Sequence, residues 1–118
     1  MLMLNTSTTL SYEAPVRPVV EKKQTVEEMI GNDILIAIAT CESGLRQYNK
    51  DGSVLKGRIV PTDTGIFQIS LKHHKKRLDK LGIDVFTLKG NIKYAKMLYK
   101  ENGTKDWLAS KKCWSKKI

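Results

Sequence analysis

Residues 34–44, Ile34-Leu35-Ile36-Ala37-Ile38-Ala39-Thr40-Cys41-Glu42-Ser43-Gly44, run apolar and small side chains straight into a lone carboxylate, and a glycine then ends the segment. So dense an apolar run, with Asn32 or Asp33 available as an N-cap, predicts a short buried helix. Glu42 falls in its last turn, where the helix dipole presents its negative end. Burial and the dipole both disfavour the charged carboxylate, so both raise its pKa. A carboxyl kept protonated near neutral pH is what a general acid requires. The alternative at this point is a helix that frays and leaves Glu42 in solvent.

The 118 residues suffice for one compact domain with a modest core. Hydrophobic residues make up 41% and charged residues 28%, which is ordinary for a globular protein, but the net charge of +9 is unevenly placed. Residues 1–70 carry seven Lys/Arg against eight Asp/Glu, whereas residues 71–118 carry fourteen against four. The basic half predicts an anionic partner: nucleic acid, an acidic membrane surface or an anionic cell-wall polymer. No apolar run is long enough for a transmembrane span, and no signal-peptide pattern is legible.

Cys41 and Cys113 are the only cysteines. A bridge between them would tie the end of the Glu42 helix to the C-terminal segment. It would remove unfolded-state entropy worth about 4 kcal/mol in the chain-entropy treatment, and it would imply an oxidising compartment. Two buried thiols in a reducing compartment are the alternative.

Taken in order, residues 1–24 read as a disordered tail or linker, with Pro15 and Pro18 breaking regular structure. The folded domain is expected over 25–118. Thr25 and Glu28 stand in capping-box spacing, and the core helix Asp33–Ser43 follows. Tyr48–Gly52 is a turn signal, and the alternation from Ser53 to Val60 predicts a small strand in a hairpin. Ser70 can cap a helix over Leu71–Leu81 that Gly82 ends, and its lysines read as a solvated face. His73 and His74 are adjacent, so they diverge on a helix and make a poor metal pair. A last helix is expected over Ile92–Glu101 with a buried stripe, stopped by Asn102-Gly103. Trp107 and Trp114 then close the domain as apolar anchors.

A second stretch, Pro61-Thr62-Asp63-Thr64-Gly65-Ile66-Phe67-Gln68-Ile69-Ser70, holds the only acid between Asp51 and Asp79. Gly65 allows positive φ or close backbone approach, and Gln68 sets an amide in an apolar run. The plainer reading is that Asp63 caps a turn and Gln68 points outward.

Cys41-Glu42-Ser43-Gly44, then Gly65-Ile66-Phe67-Gln68-Ile69, then Asn91-Ile92-x-x-Ala95, in that order, resembles the lysozyme-like superfamily and its soluble lytic transglycosylase domains. The cysteine before Glu42 and the Cys113-Trp114 end look most like the resuscitation-promoting-factor type, while Thr62-Asp63-x-Gly65-Ile66-Phe67-Gln68-Ile69 is also similar to c-type lysozymes. The resemblance covers roughly residues 32–114. It implies an α+β, mainly α, lysozyme-like domain with a small β-hairpin. It implies cleavage of the β-1,4 bond between N-acetylmuramic acid and N-acetylglucosamine in peptidoglycan. Glu42 matches the catalytic acid, and Ser43 the residue that positions it. Gly65, Phe67 and Gln68 match the segment lining the substrate cleft, and Tyr94 or Tyr99 the late tyrosine aimed at the acid. A Cys41–Cys113 disulfide and an extracytoplasmic location follow from the same likeness.

Asp63 separates two chemistries: a hydrolytic lysozyme using Glu42 plus Asp63, or a transglycosylase in which Asp63 only stabilises developing charge. The transglycosylase is favoured here. No metal or nucleotide motif is present, no cofactor is expected, and a monomer is expected. Peptidoglycan strands are the expected partner, with anionic wall polymers a further one and no specific nucleic acid. The rivals from other classes are a small basic nucleic-acid-binding module and a wall-binding domain with a dead site. Neither the end of an apolar helix at Glu42 nor Gly65–Ile69 is explained by nucleic-acid binding.

Overall fold

Thr25 opens the first helix with a reciprocal capping box: its Oγ1 accepts from the Glu28 N–H, and the Glu28 carboxylate accepts from the Thr25 N–H. A computed structural model describes residues 22–118, and the expected tail lies, up to residue 21, outside the described residues. Helix α1 spans Val26–Ile30 and α2 spans Asp33–Ser43. Asn32, rather than Asp33, caps α2 by accepting from the Leu35 N–H at 2.9 Å. Two-residue strands β1 (Asp63–Thr64) and β2 (Ile69–Ser70) pair antiparallel, with Asp63 opposite Ser70 and Thr64 opposite Ile69. Helices α3 (Leu71–Leu81) and α4 (Leu88–Asn102) follow, then a 3-10 segment Lys105–Ser110, a short α5 (Lys111–Trp114) and a terminal 3-10 turn Ser115–Lys117. The architecture is α+β and mainly α. No helix among the described residues is long and apolar enough to cross a membrane.

The core gathers around α2. Leu35, Ile38 and Ala39 are buried against Ile66, Phe67, Tyr94 and Leu98, and Trp107 and Trp114 close it from the C-terminal side. Each such large side chain contributes about 1.5–3 kcal/mol on leaving water. The disulfide Cys41–Cys113 joins the last turn of α2 to α5, with the two Cα atoms 6.0 Å apart. Helix α3 buries only Leu78, and its lysines face solvent as expected. Ser70 stands at its N-cap but its hydroxyl makes no capping bond.

Two expectations are corrected. The hairpin is not built from Ser53–Val60, which supplies only isolated bridges, Tyr48 to Val54 and Lys56 to Thr64. The chain turns immediately after Gly57, whose N–H pairs with the Asp63 carbonyl, and Ile59 stays 93% exposed. Its alternation therefore has no buried face to serve. The last helix begins a turn earlier than Ile92, at Leu88, because the Thr87 hydroxyl accepts from the Gly90 N–H at 3.0 Å.

Candidate active site

Helix α2 does not fray at Glu42. Gly44 takes a left-handed φ of 68° and its N–H bonds back to the Ala39 and Thr40 carbonyls. The Ser43 hydroxyl donates to the Ile66 carbonyl at 2.7 Å and accepts from the Arg46 N–H at 3.1 Å, locking the helix end to the Gly65–Phe67 loop. Glu42 is thereby held half-buried at the rim of a cleft. Burial raises its carboxyl pKa, a hydrogen bond from Ser110 opposes the rise, and the charge of Asp63 adds to it. Ser110 Oγ donates to Glu42 Oε2 at 2.6 Å.

Two cavities, of about 350 and 730 Å³, share Glu42, Asp63, Gln68 and Ala109, and so form two arms of one cleft. Asp63 is positioned through its backbone: its N–H donates to the Val60 carbonyl at 2.9 Å and its carbonyl accepts from the Gly57 N–H. Burial raises the Asp63 pKa, and His73 opposes that. Gln68 has an unusual φ of 51° for a non-glycine, and its N–H and Nε2 both donate to the Gly65 carbonyl.

Beneath the cleft floor two buried amides hold the loop. Gln47 Oε1 accepts from the Ile66 N–H at 2.8 Å, and Asn91 Oδ1 accepts from the Phe67 N–H at 3.0 Å. Their Nδ2 and Nε2 groups donate to Thr64 and Val85 carbonyls. Gly65, with φ of 74°, sits so close to both that a Cβ there would come within 2.4 Å of Asn91 Nδ2.

Among the residues expected at the site, Glu42, Asp63 and Gln68 line the cleft. Ser43 borders it but positions the helix end, not the Glu42 carboxyl. Phe67 is fully buried, its ring 5.9 Å from that of Trp107, and Gly65 lies in the floor, so neither lines the cleft. Tyr94 is also buried, hydrogen-bonded through its hydroxyl to His74 Nδ1 at 2.8 Å, and Tyr99 packs against the core away from the cleft. Neither tyrosine is aimed at the acid. That place belongs to Ser110, a residue with no local sequence signal. His73, His74 and Asp106 also line the narrower arm. Burial lowers the His74 pKa, with Asp106 opposing.

No family model, curated protein or solved structure matches the chain. Function is therefore a question for the site itself. Among the described residues no group of three His, Cys, Asp or Glu is placed to hold a metal ion. A separate groove of about 680 Å³ between α1 and α4 has Met29, Ile92 and Met97 in its floor and lysines at its rim. Among the described residues it holds no carboxylate, unlike the Glu42 cleft.

Proposed function

We propose that this protein cleaves the β-1,4 bond between N-acetylmuramic acid and N-acetylglucosamine in peptidoglycan, as a lytic transglycosylase with a lysozyme-like domain. The observation that carries this reading is Glu42: a carboxyl with a pKa raised by burial, at a rigid helix end, opening on a cleft. In the proposed reaction Glu42 protonates the departing glycosidic oxygen as positive charge develops on the muramyl ring. The Glu42 carboxylate then takes the proton of that sugar's C6 hydroxyl, whose oxygen bonds to C1 and leaves a 1,6-anhydro end. Asp63, in the same cleft, stabilises the cationic ring.

Asp63 also favours a second reading, hydrolysis by Glu42 with Asp63 as nucleophile or base. Its presence beside the acid supports that alternative, whereas the cysteine frame and the Glu42-Ser43-Gly44 wording support the transglycosylase. The disulfide and the wall substrate together argue for an extracytoplasmic site of action. The basic half of the chain suits a wall polymer bearing carboxylates or phosphates.

Mass analysis of muropeptides released from purified peptidoglycan tests the proposal. Anhydro-muramyl ends are expected, and Glu42→Gln should fold normally and lose about a hundredfold or more of the rate. Release of no muropeptides, or an active Glu42→Gln protein, would overturn it.

A further inference from the structure

The two arms of the cleft differ in charge. The wider arm is walled by Arg46, Lys56 and Arg58, and its only acids among the described residues are Glu42 and Asp63, shared with the other arm. The narrower arm is lined by His73, His74 and Asp106 and, among the described residues, by no lysine or arginine. None of the three cations is in an ion pair among the described residues. Two of them are nevertheless held in place: Arg46 Nε donates to the Ser43 carbonyl at 3.1 Å, and Lys56 Nζ lies 4.4 Å from the centre of the Phe86 ring. Ile59 and Val60 line the same arm, 93% and 43% exposed, as apolar side chains that the fold itself does not bury.

Unpaired cations beside exposed apolar side chains complement a ligand that carries carboxylates next to small apolar groups. N-acetylglucosamine supplies no carboxylate, and the lactyl carboxyl of N-acetylmuramic acid is taken up in its amide bond to the peptide. Resting on the glycosidase reading above, we propose that the arm formed by Arg46, Lys56 and Arg58 binds the short acidic peptide that branches from the wall glycan. The protein then selects strands that bear such peptides. Carboxylates of the peptide pair with the guanidinium and ammonium groups, and its methyl side chains lie on Ile59 and Val60. The sugars run past Glu42 into the narrower, less cationic arm. These contacts are made to the peptide and not to the sugars on either side of the bond that breaks, so they act on substrate binding and not on the chemical step.

The test titrates the Glu42→Gln protein with soluble, uncrosslinked glycan strands, and with the same strands after an amidase has removed their peptides and the freed lactyl carboxylates have been converted to amides. Peptide-bearing strands should bind at least about fivefold tighter, with the difference shrinking as salt is raised. The double variant K56Q/R58Q should bring the two affinities together, and Arg58→Lys should keep most of the preference. In cleavage by the native protein the preference should appear in KM. Equal binding of both strands, or a preference that survives K56Q/R58Q, would overturn the proposal. A binding preference without any cleavage by the native protein would keep the peptide site and remove the glycosidase reading instead.

Discussion

Ser110 Oγ donates a 2.6 Å hydrogen bond to Glu42 Oε2, joining residues 68 positions apart in the chain. The same hydroxyl also contacts the Trp107 carbonyl at 3.2 Å, so the donor is held by the C-terminal segment that Trp107 and Trp114 anchor. Cys113, three residues on, is bonded to Cys41, the residue before the acid. The bridge and the hydrogen bond thus fasten the same two pieces of chain across the edge of the cleft.

Ser110→Ala removes a donor that favours the ionised form, so the Glu42 pKa should rise further. In the proposed reaction the acid must be protonated to act, so the alkaline limb of kcat/KM against pH should move to higher pH. Asp63→Asn removes a charge that raises the Glu42 pKa, so it should move the same limb downward. Shifts of one sign in both variants would mean that the limb does not report Glu42.

Asp63→Asn should also slow cleavage, by roughly ten- to hundredfold, without abolishing it. Its products should still carry anhydro ends. Reducing ends only, with a dead Asp63→Asn protein, would identify a hydrolase that needs both carboxylates.

Glu42 lowers stability as pH rises. Its folded pKa lies above the ordinary 4.5, so between 4.5 and the folded value the native state binds more protons than the unfolded chain. Stability is therefore greatest below that window and falls as pH climbs through it. The urea midpoint of Glu42→Gln, relative to the native protein, should increase between about pH 4 and about pH 7. A constant difference would show that Glu42 titrates normally.

Losing the disulfide should cost about 4 kcal/mol, since it closes a loop of 72 residues. Cys41→Ser/Cys113→Ser measured by urea denaturation gives that figure. At temperatures where it remains folded, the same variant should move the alkaline limb of cleavage as Ser110→Ala does, because Ser110 would no longer be held on Glu42. Two free thiols in the oxidatively folded native protein would contradict the bridge itself.

Local order is legible in the sequence because it depends on neighbours. The Thr25–Glu28 box, the Asn32 cap, the Gly44 and Gly82 stops and the apolar run of α2 each act within one helix and its caps, and each stands where its pattern predicts. The position of Glu42 at the end of a buried helix follows from that run alone. Local pattern overreached at Ser53–Val60, where alternation suggested a strand but Ile59 and Val60 stay exposed. It also could not say which face a residue of the 61–70 stretch would present. Phe67 turns inward onto Trp107 while Gln68, its neighbour, turns toward the cleft. What surrounds the acid was decided only by folding. Lys56, Arg58 and Asp63 reach the cleft from one loop well after Glu42, and Ser110 reaches it from 68 positions away. The buried amides of Gln47 and Asn91, which hold the Gly65–Phe67 loop under it, pair with backbone 19 and 24 residues away. A hydroxyl or an amide carries no sign in the sequence of the distant group it will bond. Its partner is selected when the apolar faces of α2, α4 and the two tryptophans close on one another and leave each buried polar group a single way to be satisfied.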